Sequence, residues 1–361
     1  MEALTIHSVP ENVKASKRED FVSPSRRPAP TLEEVARLAA VSTATVSRVV
    51  NRSPKVRPDT RRAVEKAIKR LGYVPNRAAR SLVTRRTDTI ALVVSESESL
   101  VFSDPFFPAI VQGISSAISD TELQLLLLLA RGEREHVKVE RYVRQGHVDG
   151  VILMSLHGED PLPKALTEAG IPTVLSGRPR PGERLPYVDA DNRGGARAAT
   201  AHLLSSGRTK VATVTGPLDM TVGVDRFDGY VDALRDSGLR LRKGLVENGD
   251  FSRESGMRAM KALIRRNPNL DAVFVANDPM AIGALETLHA LGRRIPDDVA
   301  VIGFDDVADA ASTSPPLTTV RQPLEEMTRA MAELLLRRID DAEADGEFVV
   351  CPTHLVHRAS A

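Results

Sequence analysis

The sequence predicts an all-α head followed by a long α/β body of parallel sheets with helices on both faces. Three observations lead there. Positive charge is segregated: residues 31–86 hold 14 Lys and Arg against 4 Asp and Glu, a net of +10 in a chain of 361 residues whose formal total is +1. The 30 residues before this block net +1, so the remaining 275 carry −10. Inside the basic block, apolar residues recur at helical spacing between capping signals. Beyond residue 87 the pattern changes to short runs of branched aliphatics alternating with amphipathic stretches, the rhythm of strands joined by crossover helices.

A basic head on an acidic body suggests a nucleic-acid reader joined to a second function, although a charge run is more often only a solvated helix face. The pattern within the head carries more weight. Thr31 followed by Leu32, Glu33 and Glu34 is a capping box, so a helix starts there, with Val35, Leu38 and Ala39 at inward spacing. Ala40 and Val41 interrupt it, and Ser42 is a second N-cap candidate. The next helix runs from Thr43 to about Val50, with Val46 and Val49 facing inward and Thr43, Ala44, Ser47, Arg48 and Asn51 outside. A third opens at Pro58, stacks Val64, Ala67, Ile68 and Leu71, and stops at Gly72. This is a helix-turn-helix unit with a supporting helix.

The segment VPNRAARSL, residues 74–82, follows at once. It has room for about two turns of helix, and isolated helices below about 12 residues are marginal in water, so it should order only when docked. Arg77, Arg80 and the apolar tip Leu82 suit a minor-groove wedge that unstacks one base step; an Arg-rich linker is the plain alternative. In the body, the runs Ile90–Val94, Leu123–Leu129, Val151–Met154, Thr173–Leu175, Val211–Thr215, Ala272–Ala276 and Val299–Phe304 read as strands. About 275 residues exceed what one core usually holds, which predicts two α/β lobes.

These residues resemble the lactose-repressor (LacI/GalR) family of bacterial transcription regulators. The strings that carry the resemblance include TLEEVARLAAVSTATVSRVVN, LGYVPNRAARSL, VDGVILM, GIPTVLSGR, DNRGGARAATAHLLSSGRTKVATVTGP, RFDGYVDAL, VFVANDPMAIGAL, VIGFDD and PPLTTVRQP, in family order from Thr31 to the C terminus. The overall run looks most like actinobacterial repressors of oligosaccharide-utilisation genes. The resemblance implies a helix-turn-helix DNA-binding domain at 31–74, a hinge helix at 75–86 and a two-lobed, periplasmic-binding-protein-like core at 88–361. Three chain crossings, near Ser206, Val320 and Val349, would make lobe 1 about 88–206 with 321–348, and lobe 2 about 207–320 with 349–361.

By the same resemblance Thr43, Ala44 and Arg48 face base edges in the major groove, where Arg grips guanine bidentately and the Thr and Ala methyls suit thymine. Leu82 matches the family's intercalating leucine, with Ala79 beside it. Ser42, Thr45, Ser47, Asn51 and Asn76 suit phosphate contacts, which position without specifying; for Ser42 a plain N-cap is the alternative, and both can hold. The double-stranded operator would be a palindrome read by a homodimer. A small-molecule effector, a mono- or oligosaccharide, would occupy the cleft outside the carboxyl ends of the strands.

The effector residues implied are Asp104, Phe106, Phe107, Asp191, Arg226, Phe251, Asp278 and Asp305. Carboxylates and Arg on vicinal hydroxyls, with an aromatic platform, are what carbohydrate recognition needs. Asp191 could simply cap the following helix. Asp278 with Pro279 is an N-cap and N1 pair that reads equally well as structural, and Phe107 and Phe251 have core readings too. Induction requires that ligand prefer the DNA-incompetent state, and a corepressor requires the reverse; family precedent favours an inducer, and nothing in the residues sets the sign.

Other functions find little support. Residues 1–30 are polar and aperiodic, an expected disordered extension. No continuous apolar segment suggests a secretory signal or a membrane span, and the single Cys351 excludes an intramolecular disulfide, which fits the cytoplasm. His354 and His357 have no cysteine or carboxylate at ligand spacing, so neither a metal nor a cofactor is expected. Adjacent Asp305 and Asp306 point apart and cannot flank one glycosidic bond, which weakens a hydrolase reading. A transport-type sugar-binding protein would explain two lobes but not residues 31–82. HLVHRASA at the end holds no heptad tail, so a dimer is favoured over a tetramer.

Overall fold

The computed structural model describes residues 30–50, 53–74, 86–341 and 347–361, in two units divided after Val83. Most of the expected extension, Asn51, and the hinge residues Asn76, Ala79 and Leu82 lie outside the described residues.

The first unit holds α1 (Leu32–Ala39), α2 (Thr43–Val50) and α3 (Pro58–Leu71). Thr31 and Glu34 form a reciprocal capping box: the Thr31 hydroxyl accepts from Glu34 N–H at 3.3 Å, and Thr31 N–H donates to Glu34 Oε2 at 2.9 Å. Ala40 turns left-handed at φ 52° to end α1. Ser42 then starts α2, its hydroxyl accepting from Thr45 N–H at 3.2 Å. Val35, Ala36, Val46, Val49, Val64 and Ala67 form the small core. Leu38, expected inward, is instead exposed. The inward stripe begins at Leu32 and runs through Val35, Ala36 and Ala39, the i, i+3, i+4, i+7 positions, which leaves Leu38 off the face.

The second unit contains two six-stranded sheets. In the first lobe β1 (Thr89–Val94), β2 (Gln124–Leu129), β3 (Gly150–Met154), β4 (Thr173–Ser176), β5 (Tyr187–Ala190) and β11 (Phe348–Cys351) lie in the order β11-β5-β4-β3-β1-β2, all parallel. The helices of this lobe are α4 (Glu98–Ser103), α5 (Phe106–Ala117), α6 (Glu133–Arg144), α7 (Leu162–Glu168) and α12 (Leu324–Asp340). One face of its sheet packs on Ile110, Ile114, Met331 and Leu335 of α5 and α12, the other on Val139, Val143, Leu162 and Leu166 of α6 and α7.

The second lobe orders β6 (Val211–Thr215), β7 (Val246–Asn248), β8 (Ala272–Val275), β9 (Ala300–Asp305), β10 (Thr318–Arg321) and β12 (His354–Val356) as β12-β10-β9-β8-β6-β7, with only β12 antiparallel. Its helices are α8 (Asn192–Ser205), α9 (Thr221–Asp236), α10 (Arg253–Arg266) and α11 (Asp278–Ala290). Ala196, Ala199 and Leu203 of α8 pack with Tyr230 and Phe304, so α8 belongs to this lobe. The first crossing therefore falls at Asp191, between β5 and α8, rather than near Ser206: the helix follows its apolar face to the second sheet. The later crossings fall at Gln322–Pro323 and Pro352–Thr353. No helix among the described residues is long and apolar enough to cross a membrane.

Candidate functional site

In parallel α/β sheets the loops at the carboxyl ends of the strands converge on one edge, and here both lobes present that edge to a common cleft. The cavity encloses about 870 Å³, part of it continuous with solvent. Six of the eight expected effector residues line it: Asp104, Phe106, Phe107, Arg226, Phe251 and Asp305.

Arg226, on α9, organises the cleft from the second lobe. Its Nε donates to Asn192 Oδ1 at 2.8 Å, a terminal nitrogen donates to the Ala276 carbonyl, and the other lies 3.1 Å from Asp305 Oδ1. The guanidinium carbon sits 3.8 Å from the centroid of the Phe304 ring. Arg226 and Asp305 are both almost wholly buried. Asp305 also accepts from Gln322 Nε2 at 2.7 Å. Burial pushes its carboxyl up from the ordinary value, while Arg226 and Gln322 pull the other way.

From the first lobe, Asp104 accepts from Phe106 N–H at 2.9 Å. Burial, with the charge of Asp305 nearby, raises its pKa to about 7. A carboxyl that holds a proton near neutrality can donate to a hydroxyl as well as accept from one. Phe106 and Phe107 meet edge to face, centroids 5.7 Å apart, with Phe107 also buried in the lobe core. Phe251 holds a left-handed backbone at φ 67°, its carbonyl fixed by Asn277 Nδ2 at 2.9 Å. A Cβ on Gly216 would lie 2.3 Å from the Phe251 ring, so only glycine lets the ring take this place. Ser155 and Asp305, at φ 57° and 116°, share the unusual backbone, so strained residues collect around this cavity.

Asp191 and Asp278 are corrections. Asp191 is exposed and caps α8, accepting from Gly194 N–H at 2.8 Å. Its neighbours Asp189 and Asn192 face the cleft instead. Asp278 is fully buried away from the cavity, accepting from the Thr319 hydroxyl at 2.6 Å and Val307 N–H at 3.0 Å, where it ties α11 to β10 and the loop after β9. Nor does it cap α11; Asn277 does, accepting from Met280 N–H at 3.1 Å. Residues missed from the sequence include Glu96, Arg178, Asp189, Asn192, Asn277 and Gln322. Glu96 and Arg178 follow β1 and β4, so the strand-end rule applied uniformly would have found them. Asp189 accepts from the N–H groups of Ala190 and Arg178, and burial, with Asp225 nearby, raises its pKa to about 6.

In the head, Thr43, Ala44 and Arg48 are exposed along one side of α2, Thr45 and Ser47 are half-buried, and Ser42 is exposed and engaged as the cap. A helix-turn-helix head and a hinged, polar-lined cleft together define a ligand-responsive DNA-binding regulator.

Comparison with known proteins identifies the family. Residues 31–76 match the bacterial regulatory proteins of the lacI family, and residues 200–361 match the periplasmic binding protein-like domain. The chain is 51% identical over 337 residues to the HTH-type transcriptional regulator CelR of Thermobifida fusca, across 93% of this chain and 99% of that protein. It is 33% identical over 334 residues to the ribose operon repressor of Escherichia coli K12, across 92% and 99%. Among solved structures it is similar to a complex of the transcriptional regulator CelR with cellobiose, at 48% identity and a TM-score of 0.74 over 92% of this chain and 100% of that one. It is also similar to the lac repressor dimer bound to operator and the anti-inducer ONPF, at 26% identity and a TM-score of 0.81 over 92% and 99%. The chain belongs to the LacI family of DNA-binding transcriptional regulators.

Proposed function

We propose that this protein is a cytoplasmic repressor of carbohydrate-utilisation genes that binds a palindromic operator as a homodimer and releases it when a cellobiose-type disaccharide fills the cleft. The observation that carries this reading is the buried Arg226–Asp305 pair, braced by Asn192 and Gln322 and faced by Phe106, Phe107 and Phe251. Such a site offers charged donors and acceptors to vicinal hydroxyls and flat rings to the apolar faces of a sugar. The CelR–cellobiose complex, at 48% identity, supports a disaccharide of two glucose units as ligand.

Two copies are needed because one recognition helix reads only a few base pairs. Thr43, Ala44 and Arg48 supply the base contacts, Ser42, Thr45, Ser47, Asn51 and Asn76 the phosphate contacts, and Ala79 and Leu82 the minor-groove wedge. Arg48→Ala should cost about 1–3 kcal/mol on the correct site and relax one position of the consensus. The direct test selects bound fragments from genomic DNA with purified protein, then adds cellobiose to the recovered complex. Enrichment of one palindrome, released by cellobiose, is expected. Tighter binding with cellobiose would make it a corepressor, and no enriched palindrome would refute the repressor reading.

A further inference from the structure

At the mouth of the cleft, three loops from two lobes meet on one imidazole. His157, after β3, lies with Nε2 2.9 Å from Glu96 Oε1 and Nδ1 3.0 Å from Asp219 Oδ2. Glu96 follows β1 in the first lobe, and Asp219 follows β6 in the second. A neutral imidazole has one N–H and one lone pair, so it can donate to only one of these carboxylates; holding both takes the imidazolium. The backbone repeats the link, with Gly158 N–H donating to the Asp219 carbonyl at 3.1 Å.

The position gives this contact leverage. All three chain crossings lie beside β5, β10, β11 and β12, at one edge of the two sheets, whereas β1, β3 and β6 occupy the opposite half. Hinge rotation separates the two lobes most at that far side. Nearer the crossings, Arg178 after β4 pairs with Asp225 of α9 at 2.7 Å, and the Thr221 hydroxyl donates to the Arg178 carbonyl at 3.0 Å. That second bridge sits closer to the crossings, where rotation moves the lobes less, so the histidine contact has the longer lever.

We propose that protonated His157 is a clasp that ties the two lobes shut over the ligand, so that closing the cleft takes up a proton and ligand release gives one back. The proposal rests on reading the cleft as the effector site. His157 does not itself line the cavity; it is a positioning residue that acts through Glu96, which does.

The electrostatics agree in sign. The hydrogen bond to Glu96 raises the His157 pKa most, partial burial opposes it, and Asp219 adds to the rise, leaving it at about 9. On its own loop Glu159 is exposed, and Asp160 is engaged by the Ser95 hydroxyl and Leu162 N–H, both at 2.9 Å, with His136 at 3.5 Å. Asp104 lies beyond Glu96, close enough for the two charges to interact. Opening removes Asp219 and leaves Glu96, so the open form holds the proton less tightly. Closure is therefore fully supported below the open-form pKa and loses that support as pH rises through about 9. By linkage, ligand affinity falls over the same window.

The test is a ¹⁵N NMR titration of the imidazoles in the full-length protein, with His157 assigned by its absence in His157→Gln. The expected His157 midpoint is well above that of an ordinary histidine, and Asp219→Asn should lower it while Glu96 keeps it partly raised. Saturating cellobiose should raise the wild-type midpoint further but not that of Asp219→Asn, and stopped-flow release of cellobiose at neutral pH should be about tenfold faster in both variants. A wild-type midpoint near 6.5, or one unmoved by Asp219→Asn, would overturn the clasp. Failure of cellobiose to bind any form would refute the proposed ligand, and the midpoints would still decide the clasp.

Discussion

Replacing Arg226 by Met removes the charge at the centre of the cleft while keeping most of the side-chain length. Three acceptors lose their donor at once: Asn192 Oδ1, the Ala276 carbonyl and Asp305 Oδ1. Asp305 is buried, so its carboxylate would keep only the Gln322 amide, and breaking a buried pair from one side typically costs about 3–5 kcal/mol. Against a typical domain stability of about 5–15 kcal/mol, that is a large share. The chain has no tryptophan, so urea unfolding is best followed by far-UV circular dichroism. Arg226→Met should lower the midpoint strongly at pH 8 and much less at pH 5. In the variant Asp305 has a folded-state pKa above its unfolded value, so stability falls as pH rises between the two and recovers in acid. Adding Asp305→Asn should restore much of the loss, because a neutral amide is cheaper to bury unpaired. A loss below about 1 kcal/mol, or the same loss whether position 305 is Asp or Asn, would refute the argument that the pair is coupled.

Gly216→Ala should displace the Phe251 ring and weaken cellobiose binding about five- to tenfold by calorimetry, leaving operator affinity without ligand unchanged. Thr31→Ala should remove the capping box of α1 and destabilise the head by about 1 kcal/mol, read as a lower melting temperature of an isolated 30–74 fragment if that fragment folds cooperatively, or as faster amide exchange in α1 of the full chain. Asp104 carries a folded pKa of about 7, so its burial costs stability increasingly as pH rises from the ordinary carboxylate range to neutrality. Asp104→Asn, which can still accept from Phe106 N–H, should therefore gain stability over wild type at pH 8 and lose that gain at pH 4, by paired thermal melts. Operator affinity should fall steeply with salt, as several phosphate contacts release counterions; a flat dependence would contradict the role of the basic head.

Local rules made the head and most of the sheets legible. The Thr31 capping box, the Pro58 start and the Gly72 stop depend on residues within four positions of one another, and the structure has all three. Seven apolar runs correspond to β1, β2, β3, β4, β6, β8 and β9, because strands buried on both faces need continuous branched aliphatics. The short strands β5, β7, β10, β11 and β12 escaped that reading: YVDA, VEN, TTVR, FVVC and HLV are only three or four residues long, mostly with polar residues among them, and they are strands because a neighbour pairs with them.

The site separates the two kinds of information further. Asp278 and Asp305 each follow an apolar run, VFVAN and VIGF, and only Pro279 after Asp278 hints at a structural role without deciding it. Packing does: Asp305 leaves β9 at φ 116° and meets Arg226 in the cleft, while Asp278 begins α11 and is spent on Thr319 and Val307. The crossing at Asp191 was likewise set by which sheet the apolar face of α8 reached. His157 is the extreme case, since its partners lie 61 and 62 residues away in opposite directions and neither spacing is a local motif. Sequence alone determined element type, the basic head and the residue classes at the strand ends, because these follow from neighbours along the chain. Only the tertiary structure decided which strand-end side chains share a cavity and which bridge the lobes, because those contacts exist only once two sheets have packed across a hinge.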